Sequence, residues 1–198
     1  MLTGAQAIDE LVSGMDKSEP GFATRVRGAD SARIARLEQA AGRALPASFR
    51  RWLERMGEDS ADLHPFGEAD SSLTHLLGYY EDFVTKGYVD VPPESVLIAT
   101  GGDGAHDIVL DLHAGPEPSV HEADGSSLVV RLADSLPQLL FACVFRRYRL
   151  AAGTTWSSGR IDPALDRCRA IALQQGFVAE WFSDSVTFLA TRPGAALE

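Results

Sequence analysis

Three aspartates, Asp103, Asp107 and Asp111, recur every fourth residue, and His106, His113 and His121 lie among or just beyond them. Carboxylates and imidazoles of this kind are the ligands of a metal-dependent hydrolase, in which the ion activates a water for attack. The spacing argues against that chemistry. It is not the His-Glu-x-x-His pattern of a helical zinc site, and the ligand order of a calcium loop is missing. On a strand, Asp107, Asp111 and His113 share one face, but same-face neighbours stand about 7 Å apart, too far to ligate one ion without a second strand. The expectation is that the chain holds no metal and no cofactor.

Other catalytic readings are weaker. Gly101-Gly102-Asp103-Gly104 lacks the lysine and serine or threonine of a phosphate-binding loop, and no dinucleotide fingerprint follows it. A tight turn that needs positive φ accounts for the glycines. There is no Gly-x-Ser-x-Gly elbow, and Cys143 and Cys168 fall inside predicted helices without a catalytic signature. His64 and His75 read as surface or capping residues. No catalytic residue is assigned, and the chain is expected not to be an enzyme.

The elements that would position these side chains follow from periodicity. Residues 97–100 and 108–112 are apolar segments flanking the glycines, so they predict a hairpin at the centre of an antiparallel sheet. In the second segment Ile108, Leu110 and Leu112 alternate with Asp107, Val109, Asp111 and His113, giving a greasy face and a mostly acidic one. Before the hairpin, Ile8, Leu11, Val12 and Met15 predict an opening helix, with a capping box at Thr3 and Gln6. Residues 16–29 read as a loop. Asp30 or Ser31 caps a helix carrying Ile34, Leu37 and Ala41. Leu45-Pro46 restarts it, and Phe49, Trp52, Leu53 and Met56 follow at i, i+3, i+4 and i+7 until Gly57.

Ser71 or Ser72 then caps a helix with Leu73, Leu76, Leu77, Tyr80 and Phe83 inward, leaving Tyr79, Glu81 and Asp82 at or beyond the margin of that stripe. After the hairpin, residues 119–123 and 128–132 predict two strands around Asp124-Gly125. Ser135 and Pro137 introduce a helix over 138–149 with a basic end at Arg146, Arg147 and Arg149. Residues 151–159 read as a connector. Asp162-Pro163 begins a last helix, and a hairpin over 177–191 turns at Ser183-Asp184. Residues 197–198 end a small-residue tail and are given no weight.

The pattern Ile34-x2-Leu37-Glu38-x3-Gly42-x2-Leu45-Pro46-x2-Phe49-x2-Trp52-Leu53-x3-Gly57 resembles the opening of the SUKH superfamily, the Smi/Knr-like domain. Gly101-x-Asp103-Gly104 before a strand ending Leu110-Asp111-Leu112 is similar to that family's central hairpin. The strand at Val120 and the helix over 136–141 fall where the family has its remaining elements. The resemblance implies an α+β fold with an antiparallel sheet of about five to six strands backed by helices. It also implies members that act by binding other proteins, many of them bacterial immunity proteins. The expected division is an N-terminal helix and lead-in over 1–29, a core over 30–150, and a helix and hairpin over 151–198 that extend the sheet or pack on it.

Charge narrows the kind of partner. The formal charge is −10, but residues 58–124 carry 15 acids against 1 base, whereas each flank has a small excess of bases. Such a middle third disfavours the phosphate backbone of nucleic acid and favours a basic protein. No apolar run is long enough to span a bilayer and no secretory pattern opens the chain, so no membrane partner is expected and the cytoplasm is the expected location. The primary reading is an immunity protein that occludes a cognate bacterial toxin, with a basic nuclease as the fitting toxin type. Tyr79, Tyr80, Glu81, Asp82, Asp103, His106 and Asp107 are its expected contact residues. A regulatory or scaffold adaptor without a toxin is the alternative, and a metal-dependent hydrolase the third. Oligomeric state is not specified by the sequence.

Overall fold

A computed structural model describes residues 4–102, 106–150, 165–192 and 195–197. Helix α1 (Gly4–Ser18) buries Ile8, Leu11, Val12 and Met15, and continues past Gly14 because Met15 is held in the core. The short α2 (Phe22–Arg25) lies within the expected loop and anchors it through the fully buried Phe22. Asp30 caps α3 (Ser31–Ala41) by accepting from the Arg33 amide, and Gly42 closes it at φ +69°, a left-handed conformation glycine adopts at little cost. Helix α4 (Ala47–Met56) buries Phe49, Trp52, Leu53 and Met56, the spacing the sequence predicts.

Gly28 lets the lead-in approach α4. A Cβ there would stand 1.8 Å from the Glu54 carbonyl oxygen. The neighbouring Ala29 amide donates to the Leu53 carbonyl, which also accepts from the Gly57 amide, so the lead-in is bonded to the end of α4.

Four strands make the main sheet in the order β1-β2-β3-β4, all antiparallel: β1 (Ser95–Ala99), β2 (Asp107–Asp111), β3 (Ser119–Asp124) and β4 (Ser127–Ala133). The register aligns Val96, Leu110, Val120 and Ala133, all buried. The opposite face carries Val109, His121 and Arg131 in one row. Val109 is fully buried there, so the expected acidic face of β2 is polar at its ends, Asp107 and Asp111, and not at its centre.

The two edges differ. Along β1 the Tyr80 hydroxyl accepts from the Leu97 amide, and Thr100 pairs with Asp70 in an isolated bridge. Among the described residues no strand pairs with the outer edge of β4, where Leu128 and Val129 are exposed.

Helices α1, α4 and α6 (Leu136–Phe145) contact one another, α6 also lies against β3 and β4, and α5 (Leu73–Tyr79) lies against β1. Their buried side chains join the sheet in one continuous core. Ser135 caps α6 and Pro137 sits in its first turn, as the sequence predicts.

Strands β5 (Val178–Ala179), β6 (Ala190–Arg192) and β7 (Ala195–Leu197) form a second antiparallel sheet, preceded by α7 (Leu165–Gln174). The chain is therefore α+β, and its described residues form seven strands divided between two sheets. The C-terminal hairpin packs on α6 rather than extending the main sheet: Phe182 and Leu189 meet Ala142 and Phe145. Residues 195–197, of which the sequence reading gave no weight to Leu197, supply the third strand.

Candidate functional site

Helix α5 does not end in solvent. It widens into a π-helical turn over Tyr80–Val84, closed by the Thr85 amide donating to the Tyr80 carbonyl at 2.8 Å. A π turn spreads the same rise over more residues than an α turn, so side chains after it rotate away from the inherited stripe. Phe83, expected inward with Tyr80, is consequently 46% exposed. Tyr80 keeps the inward place at 3%. Burial pushes its hydroxyl up to about 12, partly offset by the bond from the Leu97 amide. Tyr80 therefore supports the surface from beneath and is removed from the expected contact set.

Tyr79 lies between His75 and Phe83, its ring 6.2 Å from the imidazole and 5.4 Å from the phenyl ring, centre to centre. The three are spaced i, i+4, i+8, and that spacing was the available signal for His75 and Phe83. The Tyr79 hydroxyl donates to Asp107 Oδ2 at 3.3 Å, and the Gly101 amide donates to Asp107 Oδ1 at 3.0 Å. Burial raises the Asp107 carboxyl above its ordinary range, against the lowering pull of the Gly101 and Tyr79 bonds. Tyr79 is raised as well, by burial first and then by the charge of Asp107. His75 Nε2 reaches Thr100 Oγ1 at 2.6 Å, which fixes α5 to the end of β1.

Three further expected contacts, His106, Glu81 and Asp82, lie on the π turn or beside Asp107. His106 is exposed and 3.2 Å from Glu122 on β3. Glu81 receives Arg36 through two bonds of 2.6 Å, and Asp82 receives Lys86 at 2.8 Å. Asp103 lies outside the described residues. The structure thus brings Tyr79 to Asp107 directly, pairs Glu81 with Arg36 and Asp82 with Lys86, and adds Phe83 and His75.

Five of the fifteen acids of the middle third pair with arginines of the N-terminal third. Arg25 pairs with Asp62, Arg27 with Asp59, Arg33 with Glu58, Arg36 with Glu81 and Arg43 with Glu94. Net charge along the chain therefore overstates the negative potential that the folded surface presents.

This arrangement suits recognition by packing and hydrogen bonding. Among the described residues no group of three or more His, Cys, Asp or Glu is placed to hold a metal ion. Burial raises the Cys143 thiol, the reverse of an activated nucleophile. Among the described residues no helix is long and apolar enough to cross a membrane.

With a four-stranded antiparallel sheet, the Phe49-to-Met56 helix and the hairpin in place, the profile of the SMI1 / KNR4 family (SUKH-1) matches residues 28–141. The chain belongs to the SMI1 / KNR4 family. Comparisons with curated proteins and with solved structures return no match. Domains of the SUKH type are commonly immunity proteins. The matched segment contains α3 to α5, the π turn and β1 to β4, and hence every described contact residue named above.

Proposed function

We propose that this SUKH-1 chain is an immunity protein that acts in the cytoplasm by stoichiometric occlusion of a toxin domain, without catalysis. Family membership over residues 28–141 is the observation that carries the reading. The contact surface is the aromatic row of Tyr79 and Phe83 with Asp107 and His106, flanked by Glu81 and Asp82, and the sequence adds Asp103 to the proposed contacts. Exposed aromatics supply residence time when desolvated against a partner pocket, and the surrounding carboxylates select a basic surface. A nuclease is a fitting partner because its nucleic-acid groove must be basic. The recognition unit comprises residues 30–150, with 1–29 and 151–198 packed on it.

Co-expression with the toxin encoded beside the gene tests this reading. Growth should be restored by the native chain and lost with Tyr79→Ser/Phe83→Ser, whose purified form should keep a native circular-dichroism spectrum. Failure of the native chain to rescue cells from any adjacent toxin candidate overturns it.

A further inference from the structure

The fold gives Asp107 hydrogen-bond donors but no counter-ion. Its acidic neighbours on the π turn are each paired with a full cation, Glu81 with Arg36 and Asp82 with Lys86, whereas among the described residues Asp107 forms no ion pair. The positive groups that act on it are the imidazoles of His75 and His106, each charged only when protonated and already engaged, with Thr100 and Glu122. Burial raises the half-buried carboxyl even against its two donors. The ionised group therefore costs stability that an amide of the same shape would not.

The surroundings define what would neutralise it. Among the described residues each carboxylate oxygen accepts one bond of the two it can take, Oδ1 from the Gly101 amide and Oδ2 from the Tyr79 hydroxyl. Tyr79 also joins Asp107 to the exposed Phe83, whose ring centre is 5.4 Å from its own. A side chain laid along this row meets rings first and a carboxylate last, so it needs an apolar stem and a cationic head. Lysine and arginine have that form. Arginine matches better, because its forked donors fit two open acceptor positions and its weaker hydration makes approach to a half-buried carboxylate less costly. The chain's own Arg36 makes such a fork on the same π turn, with Nε and Nη2 each 2.6 Å from a Glu81 oxygen.

We infer that Asp107 is the seat of an arginine side chain presented by the partner, with the guanidinium on the carboxylate and the stem along Tyr79 toward Phe83. This rests on the toxin reading and deepens it, by naming the residue type that the basic partner must offer and the group that selects it. It also gives a reason for a carboxylate that burdens the free chain: the missing counter-ion arrives with the partner.

Chemical-shift titration of the isotope-labelled full chain at pH 7 and low salt tests it without the toxin. The probes are the N-acetyl methylamides of arginine, of lysine and of citrulline, which keeps arginine's shape without its charge. The arginine probe should move the Tyr79, Gly101 and Asp107 amides in a saturable way, the lysine probe should bind about threefold more weakly or worse, and the citrulline probe should not saturate. Asp107→Asn should weaken the arginine probe by about tenfold or more while its unfolding midpoint stays at or above the native one, a combination that a purely structural role does not produce. No saturable shift with the arginine probe, equal binding of lysine or citrulline, or unchanged binding in Asp107→Asn overturns the inference. A second arm uses the toxin identified by rescue, which Asp107→Asn should bind about tenfold more weakly or worse. Rescue by Asp107→Asn as complete as by the native chain sinks this inference and leaves the toxin reading standing, whereas arginine binding at Asp107 without rescue by the native chain sinks the toxin reading alone.

Discussion

Asp107 is held by two donors and still titrates high, which makes its cost to stability measurable. Its native pKa lies above the unfolded value, so the proton-linked contribution is complete below the unfolded carboxylate range and is lost as pH rises through the native value. At neutral pH the ionised group is therefore a burden. Asp107→Asn keeps an acceptor for the Gly101 amide and can donate to the Tyr79 oxygen. It should unfold at a higher urea midpoint than the native chain at pH 7, and the advantage should vanish below about pH 4. Tyr79→Phe deletes a single 3.3 Å bond and should cost about 1 kcal/mol at pH 7 in the same assay. Gly28→Ala belongs to a harsher class. Its methyl would meet backbone rather than a movable side chain, so a loss of about 1–3 kcal/mol or more is expected in thermal unfolding.

At the scale of elements, the C-terminal sheet is fastened by a reciprocal clasp. Asp184, buried, accepts from the Asp134 amide at 3.1 Å and from the Val186 and Thr187 amides, while Asp134 accepts from the Ser185 amide and hydroxyl. Burial pulls the Asp134 carboxyl up, but the Ser185 bonds with Arg131 and Arg169 outweigh it and hold it below the usual range. Stability from this group is therefore present above the unfolded carboxylate value and lost as pH falls through the native one. Hydrogen exchange should show residues 178–192 opening before β1–β4 on acidification. Asp184→Ala should produce the same selective opening at neutral pH, worth about 2–3 kcal/mol locally. The helices and the main hairpin were legible from sequence because caps and apolar spacing agreed, as at Asp30, Ser135 and Phe49 to Met56. Phe83 was not, because one π turn shifts every later side chain and leaves no mark in the periodicity. Strand β7 was not, because Ala195–Leu197 pairs through backbone bonds to which small side chains give no signal.

For the whole molecule, the lesson concerns charge. Residues 58–124 read as an uncompensated acidic block, but the arginines that temper it come from 25–43, a pairing set by how α3 and the lead-in pass across the acidic loops. Such partners are far apart in sequence, so only the folded chain reveals them. Arg36 is largely exposed, so its removal should leave the thermal unfolding midpoint close to native. It also frees Glu81. Arg36→Ala should therefore bind the toxin identified by rescue faster at low salt than the native chain does, and the gain should fade as ionic strength rises, in stopped-flow measurements.

The unequal edges of the main sheet have a further consequence. Tyr80 and the bridge at Thr100 plug the β1 side, whereas among the described residues no strand pairs with β4 beside Leu128 and Val129. A template with a single sticky border cannot propagate: two copies that met along β4 would satisfy each other and stop, forming a self-limiting pair in place of a growing fibre.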